Sequence, residues 1–248
     1  MPLIEHLLEL RKRAMWAALA ILAGGVGGWF LSDWVLQLLT GPLQGQGKKL
    51  ATINFSSITS AFDVRFEIAI IAGVVITSPI WLYQIFAFLT PAFTRQEKKY
   101  VFGFFFSAVP LFLAGCAAGA LVIPHIVGLM VSFAPINTAN LVDGKGYLDF
   151  ILRLILVVGV AFVLPVFLVL LNFVGVLQGR TILKSWRVAI LAVTIFTAIA
   201  TPSADIISMV LLAIPMVVLY FVAVAITLLH DRRKASRDAS ILEGPGNL

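Results

Sequence analysis

The sequence predicts an all-α polytopic membrane protein with six transmembrane helices, both ends cytoplasmic, and kinked helices forming a concave bundle. Three observations predict it. First, 60% of the 248 residues are hydrophobic and only 12% are charged, with a mean hydropathy of +1.03. A soluble domain carries about twice that charged fraction, so the surplus apolar side chains need lipid as their solvent. Second, Leu, Ile, Val, Phe and Ala recur in long runs, whereas a β-barrel alternates apolar and polar residues. Backbone in hydrocarbon has to bond within its own segment, so long apolar runs mean helices. Third, the cations collect in alternate connections, as the positive-inside rule requires.

A span needs about 20 mainly apolar residues. The first, 14–39, follows Arg11, Lys12 and Arg13. The second and third, 66–89 and 100–123, are joined through Arg95, Lys98 and Lys99. Between the fourth, 148–171, and the fifth, 186–200, stand Arg180 and Lys184, with Arg187 just beyond. The fifth is short, about 22 Å against a hydrocarbon core of about 30 Å, which implies local thinning or shielding by neighbours. The sixth, 206–229, leads into Arg232, Arg233, Lys234 and Arg237. These groups hold thirteen of the eighteen Lys and Arg residues and place both termini in the cytoplasm. The opposite-side connections are 41–65, 124–147 and the tight 201–205, where Pro202 ends one helix and Ser203 can cap the next. Residues 1–230 read as one membrane domain opening with an interfacial helix, and 231–248 as a charged, disordered cytoplasmic tail. Pro79, Pro110, Pro165 and Pro215 fall inside spans, where each removes a backbone donor and can kink its helix.

Several function classes are excluded. The net charge of +6 and pI near 9.7 come from cations at membrane boundaries, which set topology and imply no nucleic-acid partner. The single cysteine, Cys116, rules out an intrachain disulfide and a Cys-based metal site. The N-terminus lacks the pattern of a cleavable signal peptide. His6, His125 and His230 are scattered, and no phosphate loop or catalytic constellation is present, so neither an enzyme nor a cofactor is expected. Proton relays and ion-coupled carriers place ionisable residues at membrane depth. Here Asp63, Glu67, Asp149, Arg153 and Asp205 all lie near the outer ends, and Asp149 with Arg153 has the i,i+4 spacing of an ion pair.

Two cytoplasmic glutamates remain. Glu9 lies in a segment whose Leu3, Leu7 and Leu10 form one apolar stripe, so the segment should lie along the membrane interface. Spacing alone explains Glu9 as an i,i+4 partner of Arg13. Glu97, with Thr94 before it, completes a capping box ahead of the third span. Spacing favours these two structural roles over functional ones.

The surrounding residues add a resemblance. His6-Leu7-Leu8-Glu9-Leu10-Arg11-Lys12-Arg13 resembles the H-L-x-E-L-R-x-R signature of TatC, the multi-spanning component of the twin-arginine protein translocase. The run from Thr77 to Phe93, containing Ser78-Pro79, Tyr83-Gln84 and Pro91-Ala92, is similar to the family's S-P-x-x-x-Y-Q-x-x-x-F-x-x-P-A-L. Glu97-Lys98-Lys99 fits the E-[KR]-[KR] that follows. Ala200 to Asp205 and Leu212 to Met216 resemble the last hairpin and last span, so the likeness covers residues 2 to about 230.

The resemblance implies a twin-arginine signal-peptide receptor and core component of a translocase that exports folded proteins across the bacterial cytoplasmic (inner) membrane. It implies TatA and TatB-type single-span partners, other copies of the chain, and no cofactor. Carried over by position, Glu9 and Glu97 receive the signal's arginines, with Arg11 and Phe88 beside them, Phe88 walling its apolar segment. Pro42, Pro79, Pro91 and Asp205 match further family positions, although Pro42 is equally explained as a helix end after Gly41. Guanidinium forks bind carboxylates through charge-assisted, often bidentate hydrogen bonds. Two carboxylates together select adjacent arginines, because both contacts have to fit at once. The chain departs from the pattern at Val163 and Phe221, where many members carry glutamate, so partner docking through a buried carboxylate does not transfer. Gln84, Thr77 and Ser78 are neutral polar groups without an assigned role. The alternative is a secondary transporter of a small solute, which the prolines fit but the missing repeats and midplane charges do not.

Overall fold

The computed structural model describes residues 3–44, 52–55, 57–89, 98–132, 141–201 and 206–242. Among them are eight helices: α1 Leu3–Gln44, α2 Ile58–Ile76, α3 Ser78–Leu89, α4 Lys98–Ser132, α5 Gly144–Phe173, α6 Gly179–Lys184, α7 Trp186–Ala200 and α8 Ile206–Leu242. The all-helical expectation holds. By length and apolar composition α1, α4, α5 and α8 can each cross a membrane, and α2 with α3 forms a fifth, bent candidate. Residues Trp186–Ala200 make the short apolar helix expected there.

Several boundaries differ from those expected. The amphipathic N-terminal segment is not a separate helix, because α1 is continuous over 42 residues. At 1.5 Å per residue it is about 63 Å long, twice a hydrocarbon core, so it is longer than one crossing needs. Pro42 does not end it, since the helix runs on to Gln44. Pro124 lies inside α4, which continues to Ser132, and α8 extends past residue 230 to Leu242.

Helix α5 is the centre of the bundle. Its Leu148, Ile151 and Leu152 pack with Leu39, Val64, Ile68 and Val127 at one end. Its Leu154, Val158 and Phe162 meet Val122 and Ile126 of α4 and Leu212 and Met216 of α8. Its Val163, Val166 and Leu170 join Leu82, Phe86 and Phe112. Backbones approach closely where glycines allow it, the means by which helices associate in lipid. A Cβ on Gly73 of α2 would lie 2.5 Å from the Gly25 nitrogen of α1, and one on Gly24 would lie 2.5 Å from Thr77 Cγ2. Gly115 and Gly119 of α4 face Gly159, Phe162 and Ile155 of α5 in the same way.

The four expected proline kinks resolve differently. Pro110, Pro165 and Pro215 lie inside continuous helices. Pro79 alone coincides with a break, where α2 and α3 meet at 58°. It has no N–H for the Val75 carbonyl, and it sits in the first turn of α3, where none is needed. Around the break, the Trp81 indole N–H donates to the Val74 carbonyl at 2.8 Å, and the Thr77 hydroxyl donates to the Gly73 carbonyl at 2.7 Å. The Gly73 carbonyl also keeps its backbone donor, the Thr77 N–H at 2.9 Å, so carbonyls beside the break have partners, as hydrocarbon surroundings require.

The end of the bundle holding the α1 C-terminus has two unexpected strands. β1 Thr52–Asn54 and β2 Leu141–Asp143 pair in parallel, Ile53 opposite Val142. They tie together the two long connections, and Asp143 caps α5 by accepting from Gly146 N at 2.9 Å. Lys145 pairs with Asp63 at 2.6 Å, and Arg65 donates to Ser32 and Asp33 while lying over the Trp29 ring. Arg153 lies 3.9 Å from both Asp149 and Glu67, so the expected i,i+4 pair widens into a bridge to α2.

Candidate signal-receptor cleft

The other end of the bundle is held by aromatic contacts running from helix to helix. His6 of α1 stacks on Phe88 of α3, with centroids 4.4 Å apart and planes at 25°. Tyr83 of α3 meets Phe105 of α4 edge-on, and Phe104 of α4 meets Phe173 of α5 likewise. Phe173 in turn stacks on His230 of α8 at 3.8 Å. The start of α1 and the cationic part of α8 therefore belong to one end of the molecule. Asp231 pins the turn there: its carboxylate accepts from Asn172 Nδ2 at 3.0 Å and from the Gly179 N–H at 2.7 Å. Gln178, the N-cap residue of α6, makes no side-chain cap, so α8 supplies that acceptor from outside.

Between the first turns of α1 and the middle of α3 opens a cleft of about 710 Å³ lined by Glu5, Leu8, Glu9, Lys12, Arg13, Trp16 and Gln84. Six of these seven lie on α1 at helical spacing, so they form one face. Gln84 of α3 forms the opposing wall. Glu9 and Arg13 are mostly withdrawn from water, with 22% and 26% of their side chains exposed. Arg13 donates from Nε at 3.0 Å and from Nη2 at 2.7 Å, both to Glu9 Oε1. Nothing among the described residues donates to Oε2. Trp16 offers an aromatic face on which a guanidinium can stack. The cleft therefore suits a planar cation carrying apolar neighbours.

The expected site residues fall into three groups. Glu9 lines the cleft, and Phe88 borders its α1–α3 junction through the stack on His6. Arg11 is exposed and stands outside the cleft lining, two residues and about 200° around the helix from Glu9. Pro79 shapes the site from a distance, by turning α3 at the break. Glu97, Pro91 and Asp205 lie outside the described residues, and Pro42 is described only as helical backbone. Residue-by-residue reading missed His6, Lys12, Trp16 and Gln84. Three of them share the Glu9 face at steps of three and four, a signal present in the sequence. Val163 is 3% exposed within the apolar cluster of α3, α4 and α5. Phe221 is exposed.

Fold and cleft define a polytopic helical membrane protein with a carboxylate-bearing recess at the end that holds the start of α1 and the His230 region of α8. The family profile of TatC, the Sec-independent protein translocase protein, matches residues 5–215. The chain belongs to the TatC family. It is 44% identical over 243 residues to the Sec-independent protein translocase protein TatC of Xylanimonas cellulosilytica, covering 96% of this chain and 88% of that one. It is 36% identical to the TatC of Rothia mucilaginosa, over 98% of this chain and 85% of that one. It also resembles the crystal structure of the twin-arginine translocase receptor TatC in DDM, with a TM-score of 0.78 and 25% identity, covering 90% of this chain and 99% of the other.

Proposed function

We propose that this chain is the signal-receiving, multi-spanning subunit of a Sec-independent translocase that exports folded proteins carrying a twin-arginine signal. The observation that carries the reading is Glu9, a mostly withdrawn carboxylate already engaged by a guanidinium in a cleft walled by Leu8, Trp16 and Gln84. Glu97 supplies the second carboxylate, and Phe88 lies against the signal's apolar segment. The chain works by binding rather than by catalysis, with TatA and TatB-type single-span subunits and further copies of itself. It sits in the bacterial cytoplasmic membrane with six spans, α7 being the fifth, and with both termini on the cytoplasmic side. The cations at the cleft end support that orientation, and the bent α2–α3 span contributes to a concave face. Family membership favours this reading over a small-solute transporter.

The test is photo-crosslinking from a reactive group at Leu8 to a precursor bearing Arg-Arg, compared with the same precursor bearing Lys-Lys. A crosslink that needs the arginine pair supports the receptor. Equal crosslinking of both precursors leaves Glu9 as a helix-stabilising partner of Arg13 and nothing more.

A further inference from the structure

We propose that Arg13 is an internal competitor that sets the affinity threshold of the cleft, holding Glu9 as an arriving arginine would and having to be displaced by it. This inference rests on reading the cleft as the receptor for the signal's arginines. Both Arg13 hydrogen bonds fall on the same oxygen, Glu9 Oε1, at 2.7 and 3.0 Å, and both side chains are about three-quarters withdrawn from water. Oε2 is open, but a guanidinium that grips the carboxylate bidentately needs Oε1 as well, so it displaces Arg13 and makes the same number of charge-assisted bonds. Exchange at Glu9 therefore conserves hydrogen bonds, and one arginine alone gains little from it. Net affinity has to come from contacts that Arg13 does not already make, namely a second arginine and an apolar segment against Leu8 and Trp16, which line the same cleft. A lysine ammonium is a point donor without the planar fork, so its exchange for Arg13 loses a bond. The displacement penalty is common to every ligand that uses Glu9. It lowers all their affinities by one factor, which pushes weak ligands below working concentrations while strong ones keep their occupancy.

The alternative role for Arg13 is to hold Glu9 in a productive rotamer, and the two roles predict opposite signs. The experiment measures binding of fluorescent Arg-Arg and Lys-Lys signal peptides to the full chain in lipid nanodiscs, for the wild type, Arg13→Gln, Arg13→Lys, Glu9→Gln and the double variant Glu9→Gln/Arg13→Gln. Displacing a partly exposed i,i+4 pair implies a gain of about two- to fivefold for Arg13→Gln with both peptides. Arg13→Lys, which keeps the charge without the fork, falls in between. In the Glu9→Gln background the Arg13 substitution has no further effect. Unchanged or weaker binding by Arg13→Gln overturns the inference, as does a gain that persists in the Glu9→Gln background, which would reflect charge alone. A wild type that does not prefer Arg-Arg, or a Glu9→Gln/Arg13→Gln double variant that binds as Arg13→Gln does, overturns the receptor reading itself.

Discussion

Glu9 carries the proposed chemistry, and its isosteric replacement isolates charge from shape. Glu9→Gln keeps a hydrogen-bond acceptor in the cleft but makes its bonds to guanidinium neutral-acceptor bonds, which are roughly half as strong. In the Arg13→Gln background, where no internal pair offsets it, the expected loss in affinity for an Arg-Arg signal peptide is about five- to tenfold by fluorescence polarisation, from a difference of about 1–1.4 kcal/mol. Folding should barely change, since an i,i+4 helix pair contributes only a few tenths of a kcal/mol. Asp231 offers the contrasting case, a carboxylate whose role is architectural. Asp231→Ala leaves the Gly179 N–H and Asn172 Nδ2 without the acceptor they share. Asn172 Nδ2 keeps the Leu177 carbonyl, so the buried Gly179 N–H is the donor left unpaired, at a cost of about 1–3 kcal/mol, to be read as a lower midpoint of thermal unfolding in detergent.

At the scale of elements, the approach of α1 to α2 decides where Glu9 stands relative to α3. Gly73 is a point of close backbone approach, because its missing Cβ is what admits the α1 backbone. Gly73→Val is expected to destabilise the protein by about 1–3 kcal/mol through overpacking, and to weaken signal binding by shifting the α1 face away from Gln84. Gly27→Ala is the control, since nothing lies within 4 Å of its added carbon. Equal unfolding midpoints for the two variants would remove the close-approach account. The glycine spacing that permits the contact, Gly24-x-x-x-Gly28, stands in the sequence and was available to a reader looking for it. The α2–α3 bend was only partly legible. Pro79 marks a kink as Pro110 and Pro165 do, but only at Pro79 do Thr77 and Trp81 meet the carbonyls of the preceding turn.

At the scale of the whole molecule, the aromatic contacts from His6 to His230 gather the start of α1 and the cationic segment of α8 at one end, while β1 and β2 close the other. A membrane-impermeant maleimide applied to right-side-out vesicles should therefore modify Ser57→Cys but not Ser236→Cys, with the pattern reversed in inverted vesicles. Modification of both from one side would refute the proposed topology. Helix α7 spans only about 22 Å, which sets a dependence on bilayer thickness. Reconstituted protein should lose thermal stability as lipid acyl chains lengthen from 14 to about 20 carbons, at fractions of a kcal/mol per ångström of mismatch.

The fold class, the long apolar helices and the grouping of cations follow from the sequence alone, because transfer into lipid is a property of about 20 consecutive side chains and needs no knowledge of neighbours. Glu9 with Arg13 was legible for the same reason, since their four-residue separation is a local fact of any helix. Tertiary structure decided the rest. The pairing of Ile53 with Val142, the stack of His6 on Phe88 and the placing of Gln84 opposite Glu9 join residues tens of positions apart. Those contacts depend on how closely α1, α2 and α3 pack and on the angle of the break at Thr77. The backbone separation between helices, set by which glycines face which, is a relation between segments that no single segment encodes.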